Sequence, residues 1–142
     1  MNAGRMTVVH KADTEFGLDI RGHRLVIDQP LDAGGGDAGP TPTELFVGSI
    51  AGCVAHYAAG YMRRHHIGGP LQVTASFSIA GSPVRVDAIH LRVHAPAVPR
   101  DQLPKLSAVV HRCTLHNTLE HGVDVDILLD GEPLDDVAAI AS

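Results

Sequence analysis

From Leu45 to Met62 the chain runs through eighteen consecutive residues without an Asp, Glu, Lys or Arg. Nothing else in its 142 residues limits the fold as strongly. A segment of this length reaches the lower limit for crossing a bilayer. Gly48 and Gly52 stand at the small-xxx-small spacing that lets two helices approach closely. The content of the run argues for another use. Ser49, His56 and Tyr57 dilute it, and Ala and Gly outnumber Leu and Ile. It reads as a helix buried on nearly all sides within a folded core, and no membrane partner is expected.

The ends of that helix are written in the flanking residues. Thr41 suits the N-cap, Pro42 the first turn, and Glu44, three residues after Thr41, completes a capping box. The helix is predicted to run to about His65 or His66 and to stop before Gly68-Gly69-Pro70. Arg63 and Arg64 then place positive charge in the last turn, where it complements the helix dipole.

Strands flank the helix on both sides. The first 28 residues look like strands. Phe16, Leu18 and Ile20 alternate with polar or small residues, Gly22-His23 offers a turn, and Leu25 and Ile27 alternate again, which signals a hairpin. Asp28 to Pro40 forms a Gly-rich loop, either mobile or pressed close to something. It lacks the context of a phosphate-binding loop. Beyond the helix, Leu71–Ile79 and Val84–His94 read as strands joined at Ala80–Pro83. The second changes phase between Val86 and Ile89, which predicts a bulge near Asp87. In the amphipathic stretch Leu103–His116, Leu103, Leu106, Val110 and Cys113 fall at helical spacing, with Asp101 as the candidate cap. A short helical piece, Leu115–His121, ends at Gly122, and Val123, Val125, Ile127 and Leu129 alternate as a last strand. The order of strands, long helix, hairpin, helix and strand defines an α+β fold, with antiparallel sheets packed on a long buried central helix. The length fits one domain over residues 1–142. With aromatics at 4% and no Trp, its core must be aliphatic.

The chemistry rests on two cysteines, Cys53 inside the long helix and Cys113 some sixty residues later. No apolar export segment is visible in Met1–Met6, so a cytoplasmic location is expected. In a reducing compartment a thiol pair is more often redox-active, metal-binding or simply buried than a permanent disulfide. Peroxide reduction needs one sulfur to attack and one to resolve. Cys53 can alternatively be a small residue in an Ala/Gly helix, and Cys113 a core position in line with Leu106 and Val110. Cys53-Val-Ala-His56 and Cys113-Thr-Leu-His116 together could supply a Cys₂His₂ zinc set. With ten His in the chain and no Cys-x-x-Cys, chance explains that spacing better, and neither a metal nor a cofactor is expected. A formal net charge of -5 disfavours nucleic acid as a partner. Glu44 is explained by the capping box alone. On one straight helix it lies about 13 Å from Cys53, so the two would share a site only if they came from different subunits.

Several segments together carry a family resemblance. Phe16-Gly-Leu-Asp-Ile20, Gly22-His-Arg-Leu25, Asp28-Gln-Pro30, Gly34 through Phe46 and Ile50-Ala-Gly-Cys53 resemble the OsmC/Ohr family, as does Cys113-Thr-Leu-His-Asn-Thr-Leu119 at the second cysteine. The spacing of Pro42, Glu44, Leu45 and Cys53 is the most specific part. The resemblance implies an OsmC-like fold and an intertwined homodimer with the long helices in its core. It also implies thiol-dependent reduction of small organic hydroperoxides with a dithiol reductant, in oxidative-stress defence. By the same carry-over Cys53 is peroxidatic, Cys113 resolving, and Glu44 a catalytic candidate. The chain departs from the peroxidase branches at three places. Thr43 occupies the position after the proline where their catalytic Glu stands, no Arg lies between Arg24 and Arg63, and Thr114 follows the second cysteine in place of Pro. These departures keep open the alternative of an OsmC-fold protein that binds a small apolar ligand with little or no peroxidase activity.

Overall fold

The computed structural model describes residues 4–129, 132 and 133. Three N-terminal strands, β1 (Met6–Ala12), β2 (Glu15–Ile20) and β3 (His23–Ile27), form an antiparallel meander. The turn between β2 and β3 is Arg21-Gly22, with φ of 49° and 83°. Two left-handed residues in a row make the tight turn that matches strand twist, one residue earlier than the sequence suggests. The registers Val8↔Leu18↔Leu25 and His10↔Phe16↔Ile27 place the alternating apolar residues on one face. Among the described residues no helix packs across this sheet. Met6, Val8 and Leu25 on that face are 59%, 55% and 40% exposed.

The Gly-rich loop is held close, as one of the two sequence readings has it. Asp28, 2% exposed, is the buried charged residue of the described chain. Its carboxylate accepts from the Thr14 hydroxyl and from the backbone N–H groups of Gln29 and Ala38, at 2.7 and 3.0 Å for the latter two. The Asp28 N–H donates to the Pro40 carbonyl at 3.1 Å, closing the loop at its base. A side chain at Gly35 would strike the Gln29 carbonyl, and one at Gly39 the Val26 carbonyl. The glycines let the chain pack on its own backbone and deliver Thr41 to the helix start.

Helix α1 (Pro42–Arg64) begins with the expected capping box. Glu44 N–H donates to Thr41 Oγ1 at 3.1 Å, and Thr41 N–H donates to Glu44 Oε2 at 2.9 Å. Its C-cap is His65. α1 has the length and hydropathy of a membrane span, yet in this fold it carries the core. Ala58, Tyr61 and Met62 pack with Val98 and Leu106. Within one protomer its burial is one-sided, contrary to the nearly complete burial read from the sequence. Val47, Ile50, Val54 and Ala58 face inward, while Gly48, Ser49, Gly52, His56 and Ala59 form an open stripe. Side chains built at Gly48 and Gly52 meet nothing.

Strands β4 (Gln72–Ala80) and β5 (Arg85–His94) form a hairpin whose apolar face, with Ala75↔Leu91 and Phe77↔Ile89, lies against α1. The register passes from Ser78↔Ala88 to Ile79↔Val86, leaving Asp87 as the predicted bulge residue. Ser78 Oγ donates to Asp87 Oδ1 at 2.6 Å. A 3-10 turn (Arg100–Gln102) leads into α2 (Leu103–Val110), and α3 (Thr114–His121) follows. Asp101 lies inside the turn and does not cap α2, whose N-cap is Gln102 without a side-chain bond. Gly122 ends α3 at φ 77°. The alternating run after it pairs only at its end, as β6 (Leu128–Leu129) with β7 (Glu132–Pro133). Val123, Val125 and Ile127 are exposed at 71%, 75% and 57%. Alternation there marks a strand pattern that finds no neighbour among the described residues.

Candidate active site

Cys53 sits in the middle of α1, half-buried, on the border between the helix's inner face and its open stripe. Cys113 is fully buried. The structure moves it off the helix face that the spacing suggested. α2 ends at Val110, and Cys113 is the N-cap of α3, in extended conformation, with φ -64° and ψ 148°. Its Sγ accepts the His116 backbone N–H at 3.3 Å. Serine or threonine ordinarily fills this role; here a sulfur does.

The helices that carry the two thiols, α1 and α3, pack against each other. Burial pushes the Cys113 thiol above its ordinary range. The amide N–H groups of His116 and Leu115 pull it down, while the neighbouring Cys53 raises it further. The net shift is upward. No cationic side chain is among the groups acting on Cys113. The interface between α1 and α3 is tied by Tyr57, whose hydroxyl lies 3.4 Å from Thr114 Oγ1.

Two apolar cavities lie between α1, β5 and the α2–α3 segment. One, of about 400 Å³, is walled by Phe46 and Ile50 of α1, Ile89 and Leu91 of β5, and His116 and Leu119 of α3. A second, of about 240 Å³, lies between Val54, Val93, Val110 and His111. Both share Ile89, Leu91 and His116. The His116 ring is fixed by Glu120, with Nε2 3.1 Å from Oε1, and meets the His111 ring edge-on at 5.5 Å.

The other sequence candidates lie elsewhere. Glu44 spends its carboxylate in the capping box, nine residues before Cys53 on the same helix. Arg24 makes a two-pronged pair with Asp19 across β2 and β3, at 2.9 and 3.1 Å, and Arg21 occupies a turn. His56 stacks edge-on with Tyr57 while His116 binds Glu120. Among the described residues no three His, Cys, Asp or Glu side chains converge as a metal set. Sequence reasoning missed Asp28 as the anchor of the Gly-rich loop. A carboxylate immediately before a Gly-rich segment with many free N–H groups was the available signal. It also missed the Tyr57–Thr114 and Tyr61–Gln102 bonds, which join residues too far apart for any local pattern to reveal.

A long central helix flanked by antiparallel sheets, with one thiol on it and a second capping a short helix beside it, defines an α+β two-thiol protein. Residues 34–128 match the family described as OsmC-like protein. The chain belongs to the OsmC-like family. Similar folds include the OsmC-like protein from Mycoplasma pneumoniae, with TM-score 0.69, 19% identity, and coverage of 84% of this chain and 88% of that one. An organic hydroperoxide resistance protein OsmC from Legionella pneumophila gives TM-score 0.67, 17% identity, and coverage of 88% and 94%. The organic hydroperoxide resistance protein OhrB of Bacillus subtilis gives 0.60, 17%, and 87% and 95%. At these identities the likeness is one of fold. No curated protein sequence matches the chain.

Proposed function

We propose that this protein is a cytoplasmic homodimeric thiol peroxidase that reduces small organic hydroperoxides in oxidative-stress defence. The observation that carries the reading is the packing of α3, capped by Cys113, against α1, which carries Cys53. The more accessible sulfur suits attack, and the buried, proton-retaining one suits resolution. The Cys53 thiolate attacks the terminal peroxide oxygen, breaking the O–O bond. Cys53 becomes a sulfenic acid and the alcohol leaves after taking a proton. The Cys113 sulfur then displaces the sulfenic oxygen as water, forming a disulfide. A dithiol reductant restores both thiols by exchange and is itself oxidised to a disulfide. The apolar cavities beside α1 suit the organic part of the substrate.

The dimer is supported by what one protomer leaves open. Among the described residues the N-terminal sheet has an uncovered apolar face, α1 has an open Gly48–Gly52 stripe, and Val123–Ile127 has no strand beside it. An antiparallel approach of two α1 helices along that stripe brings the partner's N-terminal turn towards Cys53. That is how Glu44 reaches a site nine residues away on its own helix.

Stopped-flow consumption of cumene hydroperoxide tests the chemistry. Wild type consumes it, Cys53→Ser does not, and Cys113→Ser reacts once and then stalls with a dithiol reductant specific for disulfides. Equal rates for wild type and Cys53→Ser would remove the enzyme assignment. A second reading, apolar-ligand binding without efficient peroxide chemistry, is favoured by one observation. Neither sulfur lines the cavities described above.

A further inference from the structure

A further cavity lies beyond the thiol pair. It measures about 530 Å³ and opens between the end of β5, the Arg100–Gln102 turn and α2. That is within the range of small-molecule sites, roughly 300–1,000 Å³. Its floor is aliphatic, with buried Val98 and Leu106 beside Val93, Leu103 and Val110. Its ionisable lining has one sign: Arg100, His94 and His111, with no carboxylate among them. Asp101 and Lys105, close in sequence, do not line it. The ion pairs among the described residues are Arg24–Asp19 and His116–Glu120, and neither involves Arg100.

The turn that carries Arg100 is fixed to the core. The Tyr61 hydroxyl, on α1, donates to Gln102 Oε1 at 3.0 Å. The Val98 N–H donates to the Ala95 carbonyl at 3.1 Å, and the Gln102 N–H to that of Pro99 at 2.9 Å. An exposed cation on an anchored turn, at the rim of a greasy hollow, suits a molecule with a charged end and an apolar end.

We propose that this cavity binds a carboxylate-headed amphiphile, with its head on Arg100 and its alkyl tail against Val98, Leu106 and Val110. The site goes beyond the peroxidase reading and requires neither thiol. The guanidinium fork matches a carboxylate in two-point geometry. Each methylene of the tail that leaves water adds roughly fourfold to affinity.

Calorimetric titration of the purified full chain with sodium decanoate tests this, with backbone amide shifts locating the site. Decanoate binds and perturbs Val98, Arg100 and Leu106. Decanol, with the same tail and no charge, binds about tenfold more weakly, the scale of one charge-assisted hydrogen bond. Butyrate, with the same head and a short tail, is weaker still. Arg100→Gln lowers decanoate to the affinity of decanol, and Arg100→Lys recovers part of the loss. Cys53→Ser binds decanoate as wild type does, so failure of the peroxidase reading leaves this site standing. Four results overturn the proposal: equal binding of decanoate and decanol, no effect of Arg100→Gln, shifts centred elsewhere, or no binding because a second copy of the chain fills the hollow.

Discussion

Oxidation of the protein by one equivalent of hydroperoxide should make it markedly more heat-stable. A Cys53–Cys113 disulfide would close a loop of some sixty residues. In the chain-entropy account, a loop of that size removes about 4 kcal/mol of freedom from the unfolded state. The helices that carry the two thiols already pack together in the reduced protein, which limits the rearrangement that bridging requires. For a chain of this size the stabilisation corresponds to a rise of about 10 °C in Tm. Scanning calorimetry of the reduced and oxidised forms measures it, with intact mass as the companion assay. The expected species has lost two protons, runs as a single chain on a non-reducing gel, and returns to the lower Tm with dithiothreitol. Cys113→Ser should gain one oxygen and no thermal stability. The reasoning is refuted if wild type adds oxygen stepwise, if it links into a covalent dimer, or if the bridged form melts no higher than the reduced one.

Thr41→Ala removes one half of the capping box and should cost about 1 kcal/mol of stability, read from urea midpoints at unchanged slope; an unchanged midpoint would show that the helix start is held from elsewhere. The Asp28 carboxyl is held below the usual carboxylate range, first by the Thr14 hydroxyl and then by the Ala38 and Gln29 amides. Its contribution is therefore full above the unfolded value of about 3.9 and fades as pH falls through the lower folded value. Asp28→Asn should melt below wild type at pH 7, with the gap closing as the buffer is taken below about pH 4; a gap constant with pH contradicts the assignment. Gly48→Leu adds bulk to the open stripe on α1 and should convert a dimer to a monomer in analytical ultracentrifugation, whereas a dimer of undiminished strength would move the interface off that stripe.

Most of this architecture was legible because its signals are local. Thr41, Pro42 and Glu44 define a helix start within four residues, and the structure builds the full capping box there. The phase change between Val86 and Ile89 fixed the bulge at Asp87 without knowledge of the partner strand. Cys113 shows where local periodicity misleads. Leu106, Val110 and Cys113 continue a helical pattern across His111-Arg112, a break that carries neither Gly nor Pro. The apolar spacing persists because both short helices turn a face to α1. Helix α1 itself was overread, since an uncharged run reports that all sides need cover but not which molecule supplies it. The same holds for Val123–Ile127, whose alternation is genuine and which has no hydrogen-bonding strand among the described residues. The meeting of Cys53 with Cys113 depends on how α3 lies against α1, and no sequence spacing encodes that.

The uncovered N-terminal sheet links the shape of this protein to its abundance. The sheet's greasy side is not covered by a helix among the described residues, so in the proposed dimer its persistence depends on encounters between molecules. Deuterium uptake at Val8, Leu18 and Leu25 should slow as the solution is made more concentrated, while Ala58 and Tyr61 exchange at a rate indifferent to dilution. Any melting temperature recorded for this chain therefore needs its molarity written beside it.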